Sequence, residues 1–490
     1  MFTPPSFAKK MLDRLPDWVW QDPSLKWLDP CAKSGVFLYQ VAQRLMEGLK
    51  SEIPDYKDRL EHIYRNMLYG IAISELTGLI ARRTLYQCKD ASLGTYSIIE
   101  FDNPEGNIRF PSAQCKWKGG KCIHCGVSER NAQVAEGREA HIHPFLHMDL
   151  NEIFGEEKMQ VNVIIGNPPY QMQDGGGAGK SAIPLYNKFV EKAKEAEPGL
   201  LTFVIPARWY AGGKGLDSFR SEMLSDPQIS ILADYPRASD VFPGEVDISG
   251  GICSFLRDQG HRGDCLVIPD GDLKRATLRR LDEHEVFVRD NKDVEILEKV
   301  QKTAKKHGWN SMNSVVRPRN FYGIQAHKLP SSVSDEPHSE ERILLVTKDG
   351  DKYILRDAII KNADTIDHWK VIVSKTSSEH AGESDKQGFR NVISKPRVIP
   401  PGSVLTETYL VVDLFRQHEP AGRLLDYVRS RFFRFLVYLR TPTHNLSRPC
   451  FGFVPLLPMD QNWTDEILYD LFELDSADIE HIESKIKPIG

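Results

Sequence analysis

The chain has 490 residues, of which 41% are hydrophobic and 27% charged, and its formal net charge is −5 at pH 7. These proportions are ordinary for a globular protein and exclude a collagen-like fibre, global disorder and a small disulfide scaffold. No apolar run reaches the ~18 residues that a membrane span needs, and the N-terminus has no secretory signal pattern, so we expect a cytoplasmic protein without membrane contact.

Strands and helices alternate along the first half of the chain. Apolar runs predict strands at 26–28, 67–73, 161–166 and 200–206, and apolar residues at helical spacing predict helices at 36–46, 75–86 and 184–197. Asp29-Pro30 is expected to end the first strand. This alternation predicts an α/β domain with a parallel sheet and helices on both faces.

The pattern changes near residue 266, where strands become shorter and prolines and charges increase. We therefore predict a first domain at 1–265, a linker at 266–300 and a separate α+β domain at 301–490.

A four-residue motif, Asn167-Pro168-Pro169-Tyr170, directly follows the predicted strand at 161–166. Two consecutive prolines fix φ and remove backbone donors, which leaves carbonyls free to accept hydrogen bonds. The side-chain oxygen of Asn167 and the carbonyl of Pro168 can together take both hydrogens of an exocyclic amine, and Tyr170 offers a face for stacking a planar base. The alternative is a turn with an aromatic plug. Because open α/β sheets bind ligands at this kind of position, we interpret the motif as catalytic.

Upstream, the first strand leads into a helix through Asp29-Pro30-Cys31-Ala32-Lys33-Ser34-Gly35. A Ser-Gly turn lets a ligand approach the backbone closely, and the carboxylate of Asp29 can bind a cationic amine. Glycine turns after strands are common, so this segment is informative chiefly because it lies 138 residues upstream of Asn167.

Together the motifs resemble those of S-adenosylmethionine-dependent adenine-N6 DNA methyltransferases. More closely, the chain resembles the methylases of type II restriction-modification systems that carry a C-terminal target-recognition domain. Phe2-Thr3-Pro4-Pro5 resembles the family's N-terminal cofactor motif, 29–38 its methionine-binding loop and 167–170 its catalytic motif. The motif order is that of the gamma class. The resemblance covers most of the chain and implies a Rossmann-like methyltransferase sheet.

The resemblance also implies roles for individual residues. Cofactor contacts are expected from Thr3, Pro4, Asp29, Pro30, Ser34, Gly35, Asp149 and Leu150. The target adenine, flipped out of the duplex because its amine is otherwise unreachable, would be received by Asn167, Pro168, Pro169 and Tyr170.

The chain departs from the family pattern at two positions. Lys33 stands where most of the wider family has glycine, although one restriction-associated branch has a similar Lys-Ser-Gly form. Ala72 stands where an acid normally binds the ribose hydroxyls, and Glu75 or Ser74 is the candidate substitute.

A cysteine cluster in the segment at about 88–147 has the spacing of a zinc site. Cys115, Cys122 and Cys125 include a Cys-x2-Cys knuckle followed by Gly126, which is typical of half a tetrahedral site. Cys88 is the preferred fourth ligand, and His141 and His143 are the alternatives. A closed four-ligand site predicts a structural zinc-knuckle insertion. The competing interpretation is a set of reduced, partly buried thiols.

Basic charge is concentrated between residues 415 and 450, which contain seven arginines and two acidic residues. Aromatic residues alternate with these arginines and predict one helix with a packed aromatic stripe and a basic face. The candidate DNA contacts, in the predicted target-recognition domain, are Arg429, Arg431, Arg434, Arg440, Asn445 and Arg448.

The sequence thus predicts a site-specific DNA adenine methyltransferase that uses S-adenosylmethionine and protects double-stranded DNA from a separate restriction endonuclease. A protein glutamine methyltransferase is a second hypothesis, because the motif at 167–170 suits any planar amide nitrogen. A third is a DNA-binding specificity subunit with a degenerate cofactor pocket.

Overall fold

The computed structural model describes residues 2–129, 142–171, 183–212, 215–244, 250–337, 341–376, 396–441 and 445–489, together with 248, 389 and 391–394. The chain divides into two compact units, Met1–Glu285 and Val286–Gly490.

The first unit is built on a nine-stranded sheet. Its strands are β1 (Trp27–Ala32), β2 (Leu68–Ala72), β3 (Ile108–Arg109), β6 (Val163–Gly166), β7 (Leu200–Pro206), β8 (Ile229–Tyr235), β9 (Ile252–Asp258), β10 (Cys265–Ile268) and β11 (Thr277–Arg279). They lie in the order β11-β10-β8-β9-β7-β6-β1-β2-β3. A separate antiparallel pair is formed by β4 (Trp117–Lys118) and β5 (Lys121–Cys122).

The sheet is mixed, whereas the sequence analysis predicted a parallel one. Strands β3, β2, β1, β6 and β7 pair in parallel. In contrast, β9 runs antiparallel to both β7 and β8, and β11 runs antiparallel to β10. Every residue of β6 and β7 is buried, which explains why these two strands are continuous apolar runs in the sequence. The α/β class itself is confirmed.

The helices of this unit are α1 (Pro5–Leu12), α2 (Val36–Gly48), α3 (Tyr56–His62), α4 (Glu75–Tyr86), α5 (Pro144–His147), α6 (Leu150–Phe154), α7 (Tyr186–Glu195) and α8 (Asp217–Ser225). One apolar core joins α1, α2 and α4 to the strands; it includes Phe7, Trp27, Leu38, Leu85 and Val163.

Strand β1 does not end at Asp29-Pro30, as was predicted, but continues to Ala32. Its register against β2 shifts between Asp29 and Ala32. Proline lacks a backbone donor and is tolerated in strands where pairing is irregular, so the shift accommodates Pro30.

The segment 266–300, expected to be a linker, contains regular structure. Most of β10 and all of β11 belong to the large sheet of the first unit. A 17-residue helix, α9 (Asn291–His307), begins inside the segment and belongs to the second unit.

The second unit is α+β, with two three-stranded sheets. Its strands are β12 (Arg342–Thr347), β13 (Gly350–Leu355), β14 (Trp369–Ser374), β15 (Arg397–Ile399), β16 (Ser403–Leu405) and β17 (Tyr409–Phe415), in the orders β13-β12-β16 and β15-β14-β17. Its further helices are α10 (His418–Arg429), α11 (Arg431–Leu439), α12 (Asp465–Leu471) and α13 (Ser476–Lys485).

The single basic and aromatic helix predicted in this unit is two helices. Ser430 has an extended ψ of 150° and its side chain accepts a hydrogen bond from the amide of Phe433, so it ends α10 and caps α11. The aromatic stripe is confirmed as core, because Phe432, Phe433 and Phe435 are fully buried.

In the part of the chain that the structure describes, no helix is both long enough and apolar enough to cross a membrane.

Candidate active site

The two sequence motifs meet where the strand order of the large sheet reverses. Strand β1 pairs with β2 on one side and with β6 on the other, and all three run in parallel. Parallel sheets of this kind form a crevice at the carboxyl ends of the strands beside such a reversal. Asp29 and Ser34 lie at the carboxyl end of β1, and Asn167 follows β6 directly.

A narrow cleft lies at this point. It is lined by Thr3, Asp29, Cys31, Lys33, Ser34, Gly35, Val36, Phe37 and Asn167. The structure therefore brings together four of the predicted cofactor residues with the predicted amine acceptor. Sequence reasoning did not single out Cys31, Val36 or Phe37 as lining residues.

Asp29 is buried, with 3% of its surface exposed. Desolvation raises the pKa of its carboxyl from 3.8 to about 6, against the opposing effects of hydrogen bonds from Cys31 and the charge of Lys33. One of those bonds runs from the amide of Cys31 to Oδ1, at 3.1 Å. At neutral pH the carboxylate is charged, and it faces the cleft as an acceptor for a cationic group.

Gly35 occupies a position that favours glycine. It precedes α2 with a left-handed φ of 73°, and a Cβ atom built there would lie 3.2 Å from Cα of Ala81 on α4. The left-handed φ strains any residue with a side chain, and the close approach of α4 adds crowding, so both facts favour glycine. The N-terminus of α2 lies at the cleft, because Gly35, Val36 and Phe37 line it, and a helix N-terminus suits a carboxylate or phosphate.

The side chain of Asn167 is buried. Its Nδ2 donates to Oγ1 of Thr3 at 3.1 Å, with Oδ1 at the other end of the amide. That oxygen, Oδ1, is buried and has no hydrogen-bond partner among the described residues. Buried acceptors are nearly always paired, so an orphaned one at the edge of a cleft indicates a place for a donor from a ligand.

Lys33 connects the two motifs. Its Nζ donates to the backbone carbonyl of Asn167 at 3.1 Å. The sequence analysis treated Lys33 only as a departure from the family pattern. In the structure its ammonium spans the cleft and reaches the motif at 167–170.

The rest of the catalytic motif is packed against the protein. Pro168 is buried and Pro169 is half-buried. Tyr170 is half-buried, with a buried hydroxyl that has no partner among the described residues; desolvation raises its pKa well above the ordinary value. The glycine-rich loop at 174–179 lies outside the described residues.

Five other predicted cofactor residues, and Ser74 as the alternative to Glu75, lie outside the lining of the cleft. Pro4 precedes α1, and its carbonyl accepts the amides of Phe7 and Ala8. Glu75 is exposed in the first turn of α4, just beyond β2. Asp149 is exposed and caps α6 by accepting from the amide of Asn151, and Leu150 begins that helix. Ser74 is the cap of α4. Pro30 is a buried residue of β1.

The fourth member of the cysteine cluster is His147 and not Cys88. The ligand atoms of Cys115, Cys122, Cys125 and His147 all lie within 4.8 Å of one another. The thiol of Cys88 instead donates to the carbonyl of Asp90 at 2.9 Å. His147 was not among the predicted ligands; it lies two residues before Asp149, which was interpreted as a cofactor contact.

The two alternative histidines are also accounted for. His143 supplies its carbonyl, not its ring, to His147, and His141 lies outside the described residues.

The predicted DNA-contact residues of the second unit separate into two groups. Arg429, Asn445 and Arg448 are exposed. Arg431 pairs with Glu483, Arg440 lies over the ring of Phe453, and Arg434 is buried with 3% of its surface exposed.

The prediction that Arg434 contacts DNA is therefore wrong, because its side chain is buried. Its guanidinium donates hydrogen bonds to the backbone carbonyls of Arg429, Ser430 and Lys487. The number of arginines in a sequence segment does not show whether a given arginine binds DNA or stabilises the fold in this way.

Residues 66–242 match the Eco57I restriction-modification methylase family. An uncharacterized adenine-specific methylase of Mycoplasma pneumoniae is 33% identical over 291 residues, which cover 54% of this chain and 69% of that protein.

Two solved structures match the chain at much lower identity. The type IIL restriction-modification enzyme MmeI, in complex with DNA, is 12% identical with a TM-score of 0.47 over 91% of this chain and 64% of that chain. A nuclease-deletion mutant of the type ISP enzyme LlaGI, with a DNA substrate mimic, is 11% identical with a TM-score of 0.48 over 91% of this chain and 45% of that chain. This chain thus spans less than two thirds of the length of either structure.

Proposed function

Since the chain belongs to the Eco57I restriction-modification methylase family, we propose that it methylates the N6 amine of adenine in DNA. S-adenosylmethionine supplies the methyl group when bound. The second substrate is double-stranded DNA, and the biological partner is a separate restriction endonuclease from whose cleavage the methylated DNA is protected. We place this activity in the cytoplasm.

The observation that carries the proposal is the orphaned oxygen of Asn167. A buried Oδ1, fixed by the bond from Nδ2 to Thr3, can accept one hydrogen of an adenine amine. The carbonyl of Pro168 is the proposed acceptor for the second hydrogen. Two such bonds hold the nitrogen in position and increase its electron density, so that its lone pair faces an electrophile in the cleft.

The residues of the cleft fit a sulfonium amino acid. The carboxylate of Asp29 suits its ammonium group, and the turn at Ser34 and Gly35, with Thr3 beside it, suits its carboxylate. Glu75, Asp149 and Leu150 remain proposals for the ribose and adenine ends. No zinc chemistry enters this reaction, because an ion with four protein ligands has no open position for a substrate.

Recognition of DNA is proposed for the second unit. The exposed residues Arg429, Asn445 and Arg448 are its remaining candidate contacts. Arginine binds phosphate and guanine edges, and asparagine can read adenine. Flipping of the target base is part of the proposal, because the amine of a paired adenine cannot enter a buried site.

The test is transfer of radiolabelled methyl from S-adenosylmethionine to unmethylated plasmid DNA, followed by nucleoside analysis. We expect labelled N6-methyladenine. Asn167→Ala should lower the rate by about 10²–10³-fold, the usual effect of removing one positioned hydrogen-bonding group, while cofactor and DNA affinity change little.

The matched control is Asn187→Ala. Asn187 is buried on α7 with a side-chain oxygen that also lacks a described partner, but it does not line the cleft. It should retain full transfer. Cofactor binding with label only on protein would favour the glutamine methyltransferase. DNA binding without any cofactor binding would favour the degenerate specificity subunit.

A further inference from the structure

We propose that Cys115, Cys122, Cys125 and His147 bind one zinc ion whose task is to hold Asp149 at the cofactor site. The role of Asp149 rests on the proposed function, whereas the metal site does not.

The distances within the cluster are those of a tetrahedral site. Nε2 of His147 lies 3.8 Å from Sγ of Cys115 and 3.6 Å from Sγ of Cys122. A tetrahedral zinc ion, ~2.3 Å from sulfur and ~2.0–2.1 Å from nitrogen, separates these atoms by about 3.6 Å. The four side chains therefore need little movement to coordinate one ion.

The ring of His147 is held in an orientation and a tautomer that suit metal binding. Its Nδ1 lies 2.8 Å from the carbonyl of His143. A carbonyl only accepts, so Nδ1 carries the hydrogen and Nε2 presents its lone pair toward the sulfurs. Second contacts of this kind orient most metal-binding histidines.

The backbone around the cysteines is also arranged for thiolates. The amides of His124 and Cys125 donate to the sulfur of Cys122, and the amide of Val127 donates to that of Cys125. Gly126 closes the turn with a φ of 75°. Amide donors stabilise negative charge on sulfur, which is the form that binds metal.

The hairpin that carries the cysteines is short. Strands β4 and β5 have two residues each, and the apolar side chains of Trp117 and Ile123 are 39% and 57% exposed. A short isolated hairpin is marginal in water. In such segments the free energy of metal binding becomes free energy of folding.

The position of His147 connects this ion to the proposed cofactor site. His147 is the last residue of α5, and Asp149, two residues later, caps α6. The start of α6 is held on the side that follows Asp149, because the side chain of Asn151 accepts the amide of Met159. The zinc ion supplies the corresponding restraint on the other side of Asp149.

The test measures metal and cofactor binding separately on the full chain. Purified protein should contain one zinc per chain by mass spectrometry, and its Co²⁺ form should show thiolate charge-transfer and tetrahedral d–d absorption. Cys122→Ser and His147→Ala should lose most of the metal. Cys88→Ser, a cysteine of the same insertion outside the cluster, is the matched control and should keep it. Absence of zinc and of Co²⁺ uptake in the wild type would overturn the metal site.

The positioning role is tested on folded wild-type protein, so that a variant that fails to fold does not affect the result. Removal of zinc by a chelator should raise the Kd for S-adenosylmethionine at least tenfold, and added zinc should restore it. Asp149→Ala should raise the Kd similarly and keep full zinc. An unchanged Kd in the stripped protein would contradict the positioning role. A zinc-loaded wild type that binds no S-adenosylmethionine would instead refute the proposed function, with the metal site intact.

Discussion

At the scale of single residues, the structure links the catalytic motif to the third residue of the chain. The hydroxyl of Thr3 is the partner that fixes the amide of Asn167. Without this bond the amide can rotate and present its NH₂ group where an acceptor is needed. We therefore propose that Thr3 positions the amine acceptor and does not contact the transferred group.

Replacing Thr3 tests this link. Thr3→Val keeps the shape but removes the hydroxyl, and it should lower the single-turnover rate of methyl transfer about tenfold, the effect of losing roughly 1.4 kcal/mol of positioning. Thr3→Ser keeps the hydroxyl and should restore most of the rate. Equal rates in the two variants would contradict a positioning role for the hydroxyl.

Asp29 makes the stability of the first unit depend on pH. Its folded pKa of about 6 exceeds the ordinary 3.8, so the folded state binds this proton more tightly than the unfolded state. The free energy of unfolding therefore decreases as pH rises from about 4 to about 6, by about 3 kcal/mol from this one group.

Asp29→Asn should remove that dependence and keep the hydrogen bond from Cys31. Urea titrations should show the variant more stable than the wild type at pH 7.5, with the difference shrinking toward pH 4. Calorimetry should show weaker binding of S-adenosylmethionine. The same stability difference at both pH values would show that the carboxyl is not the titrating group.

At the scale of elements, the break at Ser430 decides which arginines are available to a partner. Arg434 lies one turn into α11 and bonds to carbonyls at the end of α10 and near the chain's end. Arg429, the last residue of α10, is exposed. Two arginines five positions apart therefore have different tasks.

We therefore expect substitution of Arg434 to affect stability and substitution of Arg429 to affect DNA binding. Arg434→Met should leave buried carbonyls unpaired and lower the free energy of unfolding by about 2–3 kcal/mol, with DNA affinity unchanged in the folded protein. Arg429→Gln should leave the melting temperature unchanged and weaken DNA binding, with a salt dependence smaller by about one charge. Thermal melts and binding titrations at several salt concentrations would distinguish them. An Arg434→Met protein that is fully stable but binds DNA poorly would reverse the assignment.

At the scale of the whole molecule, short sequence patterns predicted individual strands and the motifs that follow them. The apolar runs located β6 and β7, and the convergence of Asp29, Gly35 and Asn167 followed from two motifs that each end a strand. The antiparallel insertion of β9 had no local signature, because strand direction depends on partners far away in the chain.

The wrong predictions about individual residues also concern contacts between distant parts of the chain. Spacing in the sequence does not distinguish Cys88 from His147 as the fourth ligand. Only the fold shows which of the two side chains lies beside the other three cysteines. Arg434 and Arg429 carry the same charge, and only the packing shows that the guanidinium of Arg434 is hydrogen-bonded to backbone carbonyls. The bond from Lys33 to Asn167 joins residues 134 positions apart, so no sequence window contains it.

The bond between Thr3 and Asn167 spans 164 positions. Contacts of such separation close late in folding, after local helices and hairpins have formed. The proposed amine acceptor is therefore aligned only when the segment that precedes α1 and the segment that follows β6 lie side by side. Methyl transfer would accordingly report on the assembled sheet as well as on the residues of the cleft.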